Sequence, residues 1–254
     1  MISLSRNIGY KISGVVGFKG LEKDFGSKQK EAWELVKRSI DAGIPCYGWE
    51  MAIPEYYVVY GYDDDGYYFT GPGDVGVPVE EGYKPWRELG TSDIGVVEMY
   101  SGTPGQAVDD ARTVKDALEF ALDHAAGKWV HPNYGAGLAG YDLWIDTLEN
   151  GTATDHGMAF NTAVWNECRF FAPRFLKEAK ERLNGETGPL FEKAIGHYQI
   201  VQQNLQQVRE MFPFPWGSEL SDKERCQKAV ECLKDARKAE ESGLKSLEEI
   251  VAAL

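Results

Sequence analysis

The chain has 254 residues, 43% of them hydrophobic, which suffices for a buried core in one large domain or two small ones. Its 40 acidic against 27 basic residues give a formal net charge of −13, so phosphate backbones and anionic lipid are excluded as expected partners: no nucleic acid and no membrane. The opening MISLSRNIGYKISGVVGF lacks the continuous apolar stretch of a signal peptide and no later run approaches a span of about 20 apolar residues, so a cytoplasmic protein is expected.

In chain order, Ser27 is placed to cap a helix running from Glu31 to Ala42, with Trp33, Val36 and Ile40 at helical spacing and Gly43 as its stop. Short β-branched and aromatic runs follow, IPCYGWEM, YYVVYGY, GYYFTG and DIGVVEMY, each bounded by Pro, Gly or Asp and each expected to form a strand. Between the second and third, Asp63, Asp64, Asp65 and Gly66 supply a hairpin turn. Near residue 102 the pattern becomes helical. Two domains are therefore expected, 1–102 and 103–254, the first α+β and the second all-helical.

Thr103 and Gln106 are spaced as a capping box around Pro104, and Ala107, Ala111, Val114, Leu118, Ala121 and Ala125 make an apolar stripe closed by Gly127. YGAGLAGYDLWIDTLENG predicts a shorter helix, with Asn150, Gly151 and Thr152 as its ending turn. Asp155 is placed to cap a long helix with Phe160, Val164, Cys168, Phe171, Phe175 and Ala179 on its apolar face and Pro173 inside it. Another helix carries Phe191, Ile195, Tyr198, Val201, Leu205, Val208 and Phe212 until FPFPWG breaks it. Ser221 with Glu224 and Ser246 with Glu249 then predict two further capped helices.

Few residues suggest chemistry. Cys46, Cys168, Cys226 and Cys232 are scattered without a CxxC pair and read as reduced core residues. GPGDVG (71–76) fits a dinucleotide fingerprint, but Pro78, Gly82 and Pro85 forbid the helix whose free amides would bind phosphate. His124, His131, His156 and His197 lack the short spacings of zinc sites, so neither metal nor cofactor is expected. Asn161, Trp165 and Arg169 form one ridge at i, i+4 and i+8, with His156 near the start of the same helix. Such a ridge serves as a domain interface or solvated face; alternatively, His156, Asn161 and Trp165 line a ligand cleft by stacking and hydrogen bonding.

The helix, GIPCYGWEM, PEYYVVYGYDDDGYYFTGPG and GVVEMY together resemble the second half of a papain-like domain of the C39-like group, as in butirosin biosynthesis protein H-like proteins. YGAGLAGYDLWIDTLENG and FNTAVWNECRFFAPRFLKEA are similar to the helical region that follows that domain in bacterial members. The resemblance spans about Ser27 to about Leu183 and implies a papain-like domain truncated at its N-terminus. In active relatives the catalytic histidine stands six residues before the glycine that is Gly61 here, and that position holds Glu55. The orienting Asp-Pro is replaced by Gly71 and Pro72, and the nucleophilic cysteine would lie in an N-terminal helix before this chain begins.

A Cys/His/Asp triad is thus not expected, because a carboxylate at the histidine position would disfavour a thiolate. The leading expectation is a catalytically degenerate papain-like protein binding a small molecule or peptide between the hairpin at Glu55, Tyr56 and Tyr57 and the helix bearing His156, Asn161 and Trp165. One alternative is acyl transfer or amide hydrolysis of the butirosin type, using Glu55 as base in an apolar pocket or a cysteine missing from this chain. Glu55 serves equally well as a turn-capping carboxylate. Another alternative is an interaction or homodimer surface on the near-heptad stripe from Phe191 to Phe212, although burial within the chain explains that stripe more simply.

Overall fold

The computed structural model describes residues 2–73, 77–130, 134–215 and 220–254. It is α+β and divides into two compact units, 1–108 and 109–254.

In the first unit, a 3-10 turn (Ile2–Ile8) leads into β1 (Tyr10–Phe18), α1 (Phe25–Asp41), β2 (Cys46–Trp49), β3 (Tyr56–Tyr62), β4 (Gly66–Gly71), β5 (Val79–Pro85) and β6 (Val96–Pro104). The six strands form one antiparallel sheet in the order β1-β6-β2-β3-β4-β5. Alternation assigns its faces. Tyr57 and Val59 of β3 are buried, as are Tyr67 and Phe69 of β4 and Val97 and Met99 of β6, and these pack with Ala32, Trp33 and Val36 of α1 into one core. Tyr56, Val58 and Tyr60 point the other way and are exposed.

The central strands, α1 and the 63–66 turn match the residues that predict them. In that turn Asp63 accepts hydrogen bonds from the backbone of Asp65 and Gly66 and from the hydroxyls of Tyr68 and Tyr83. The two edge strands are additions, and both carry glycines where a neighbouring ring lies against the backbone. A Cβ at Gly14 of β1 would stand 2.1 Å from Tyr100, and one at Gly82 of β5 would stand 2.3 Å from Phe69. Replacing a side chain by this close approach removes the alternation that marks a strand. Edge position also admits the charges and terminal proline of VEEGYKP. α1 starts earlier than Ser27 suggests: Asp24 is the cap, accepting from the Ser27 backbone N at 3.1 Å and from its hydroxyl. Those bonds hold the Asp24 carboxyl below its ordinary range.

The second unit contains α2 (Asp110–Ala125), α3 (Gly137–Glu149), α4 (Asp155–Leu183), α5 (Gly188–Met211) and α6 (Lys223–Ala253), which share one hydrophobic core. Phe191, Ile195, Tyr198, Val201, Leu205, Val208 and Phe212 are all buried in it, which satisfies that stripe within the chain.

Further local expectations need correction. Thr103 and Gln106 do not open a helix, because β6 continues through Pro104 opposite Tyr10; Asp109 caps α2, accepting from the Arg112 backbone N at 2.9 Å. Thr154, rather than Asp155, caps α4, its hydroxyl oxygen accepting from the Gly157 backbone N at 3.1 Å. Ser221 and Ser246 cap nothing: α6 is one 31-residue helix capped by Asp222, and Ser246 lies buried inside it, donating to the Ser242 carbonyl at 3.1 Å. The expected apolar face of α4 is also mostly outside. Phe160, Val164, Phe171 and Phe175 are exposed, and Cys168 with them, so this cysteine is no core residue; the helix buries Met158, Ala159, Thr162, Asn166, Pro173, Leu176 and Ala179.

Small side chains on that α4 face allow close packing, and Thr162 keeps its hydrogen bonds there, whereas the buried Asn166 Oδ1 has no hydrogen-bond partner among the described residues. Thr162 donates both to Ala159 O, one turn back, and to Phe212 O just beyond α5. No helix among the described residues is long and apolar enough to cross a membrane.

Candidate functional site

The buried stripe of α6 contains a charge. Leu233, Glu240 and Leu247 repeat every seven residues on one face, and Glu240 is only 2% exposed. A carboxylate so placed needs a partner. Arg169 of α4 supplies it through two hydrogen bonds, Nε to Oε2 at 2.9 Å and Nη2 to Oε1 at 3.0 Å. Tyr141 of α3 donates its hydroxyl to the same Oε2 at 3.2 Å.

Arg169, Glu240 and Tyr198 of α5, with the exposed His124, Tyr134 and Cys168, supply the polar groups of a solvent-open cavity of about 660 Å³ in the helical unit, within the size range of small-molecule sites. Its walls are apolar: α2 contributes Ala117 and Leu118, α4 contributes Ala172 and Phe175, and α6 contributes Leu244 and Leu247. Trp165 also lines it, meeting Tyr141 edge-on at 4.8 Å and Trp144 at 5.8 Å, with the Arg169 guanidinium 5.1 Å from its ring centre. Residues 131–133, which include His131, lie outside the described residues.

Electrostatics keep the donors of this site charged or protonated. Burial pulls the Arg169 guanidinium down, but Glu240, with Tyr141 and Tyr198 adding to it, makes the net shift upward. Burial pushes the Tyr141 hydroxyl well above its ordinary range, with Glu240 adding to the effect, and Tyr198 moves the same way for the same two reasons. Both phenols therefore remain O–H donors at neutral pH.

Of the residues singled out on α4, the cavity brings together Val164, Trp165, Cys168, Arg169 and Phe175, and His124 of α2 lines it too. His156 and Asn161 are exposed on the same helix and do not line the cavity; the His156 ring lies 6.0 Å from that of Phe160. Glu55, Tyr56 and Tyr57 belong to the first unit. Glu55 is exposed just before β3, its backbone N donating to Ile53 O at 2.7 Å and its carbonyl accepting from Glu50 N at 2.9 Å. Tyr57 is core, its hydroxyl donating to Pro72 O at 2.6 Å. Tyr56 is exposed, donates to Glu98, and packs edge-on against Trp49 at 5.0 Å.

Gly71, Pro72 and Gly73 precede β5 rather than a helix, while the rest of GPGDVG, 74–76, is outside the described residues. Among the described residues, no three His, Cys, Asp or Glu side chains gather as a metal site.

Sequence reasoning passed over Glu240, Tyr141 and Tyr198 as site residues. The heptad position of Glu240 is a usable signal, whereas Tyr198 stands in the α5 stripe with nothing in the sequence to mark its hydroxyl. Glu50 was also missed. It holds a left-handed backbone at φ +58 while 7% exposed, accepts from Ser92 Oγ at 2.7 Å through its carboxylate, and accepts from Lys84 Nζ at 3.0 Å through its carbonyl. Those bonds tie the loop after β2 to β5 and account for the backbone geometry in structural terms. No family model and no curated protein matches this sequence.

Proposed function

We propose that this chain is a binding protein for a small amphipathic molecule, with its site in the cavity of the helical unit. The carrying observation is an apolar cavity of about 660 Å³ with a hydrogen-bonded Arg169–Glu240 pair in its wall. Apolar walls supply affinity through burial, and the few convergent donors orient one polar group.

We further propose that the first unit is a degenerate relative of the papain-like C39 group. Support comes from the sequence: Glu55 stands where the resemblance puts histidine, and Gly71-Pro72 where it puts Asp-Pro. A butirosin-type hydrolytic or acyl-transfer role for Glu55 would require an apolar pocket around it. Its exposure favours binding over such chemistry.

Native mass spectrometry of the protein purified from its own host tests the binding function. A species heavier than the 28.3 kDa chain, losing a small organic molecule on denaturation, is expected. Ala117→Phe, which fills the cavity from α2, should then yield the bare chain. An adduct retained in full by that variant would place the ligand elsewhere.

A further inference from the structure

Taking the binding function proposed above as its basis, we infer that the cavity selects a neutral amphiphile, an alkyl chain bearing an oxygen acceptor, over a fatty carboxylate. Both Glu240 oxygens are engaged by Arg169, and Oε2 also accepts from Tyr141, so the carboxylate and the guanidinium in the cavity wall already balance each other. What remains unused is donor capacity. Arg169 Nη1 and the Tyr198 hydroxyl make no hydrogen bond among the described residues, both side chains line the cavity, and the Arg169 side chain is 22% exposed.

An alcohol, ketone or ester oxygen satisfies those donors without adding charge. A carboxylate head would instead bring a second anion beside Glu240 in low-dielectric surroundings, where like charges repel strongly. An ammonium head would face Arg169. The remaining titratable side chains that line the cavity, His124, Tyr134 and Cys168, are exposed, so none supplies a second buried charge. Glu240 thus acts as the specificity determinant by consuming the charge of the arginine that would otherwise attract acids.

Calorimetric titration of the full chain with decanol and with decanoate, below micelle-forming concentrations and at constant salt, tests this selectivity. Decanol should bind at least about tenfold more tightly than decanoate. Glu240→Gln, which frees the guanidinium charge, should shift that ratio by about tenfold or more towards decanoate. Should that variant fail to fold, Tyr198→Phe leaves the ion pair intact and should weaken decanol by about tenfold through the lost donor.

Equal or tighter decanoate binding to the wild type overturns the selectivity. So does an unchanged ratio in folded Glu240→Gln, or unchanged decanol affinity in Tyr198→Phe. If neither amphiphile binds at all, the binding function itself falls; if both bind without distinction, only the selectivity does.

Discussion

Glu240 and Arg169 illustrate how a single buried pair constrains its neighbourhood. Removing one partner strands the other charge beside an apolar cavity, so Glu240→Ala should destabilise the chain by about 3 kcal/mol in urea unfolding. The double change Glu240→Leu with Arg169→Met removes both charges and should cost far less than the sum of the single changes. Equal and additive losses would show that the pair is not coupled. Trp165→Ala removes the ring that supports Arg169 and packs on Tyr141 and Trp144; it should cost about 3 kcal/mol and abolish amphiphile binding. At this scale the sequence was half legible. Trp165 and Arg169 stand on a visible ridge, but their partner is 71 residues further along, and only the placement of α4 against α6 brings it there.

Elements were legible in kind and less so at their ends. The stripe of α5 is large and apolar throughout, so periodicity and burial agree. On α4 they disagree: the sequence favours the face with the largest hydrophobic side chains, whereas packing buries Ala159, Thr162 and Ala179, whose small side chains let neighbouring helices approach, together with Asn166. Caps failed where two candidates competed and only hydrogen bonding decides between them. Asp222→Ala should cost about 1 kcal/mol of stability by chemical denaturation, because Asp222 Oδ1 accepts from the Arg225 backbone N at 3.0 Å. Ser246→Ala should change stability by less than about 0.5 kcal/mol, since its hydroxyl makes only an intrahelical bond back to Ser242. A cap-sized loss at Ser246 would instead mean that α6 is broken there. The edge strands β1 and β5 were illegible because glycine and charge replace their alternation, and the rings of Tyr100 and Phe69 occupy the space where side chains would stand.

For the molecule as a whole, an anionic chain rich in tyrosine has a foreseeable response to alkali. Desolvation, reinforced by nearby carboxylates, pushes the hydroxyls of the buried Tyr100 and of the exposed Tyr83, which donates to Asp63, up to about 12. Their unfolded value is about 10, so the folded state binds these protons more tightly. The stability they confer is full below pH 10 and is lost as pH rises from about 10 to about 12. Tyrosinate absorbance should therefore lag behind free tyrosine and rise together with loss of the circular dichroism signal. Ordinary titration of every tyrosine near pH 10 with the fold intact would contradict this. The α+β composition is readable from the whole sequence, because strand-like runs and helical stripes occupy separate stretches. The cavity is not, since it is the space left where five helices fail to meet.

Whether this space in the helical unit holds an amphipathic ligand is decided by fluorescence titration with the neutral probe Nile red, on wild type and Ala117→Phe in parallel. Saturable binding with one-to-one stoichiometry is expected in the wild type, with displacement by decanol and with loss of binding in Ala117→Phe while its helical circular dichroism stays unchanged. No saturable binding by the wild type, or undiminished binding by a folded Ala117→Phe, would contradict the binding function.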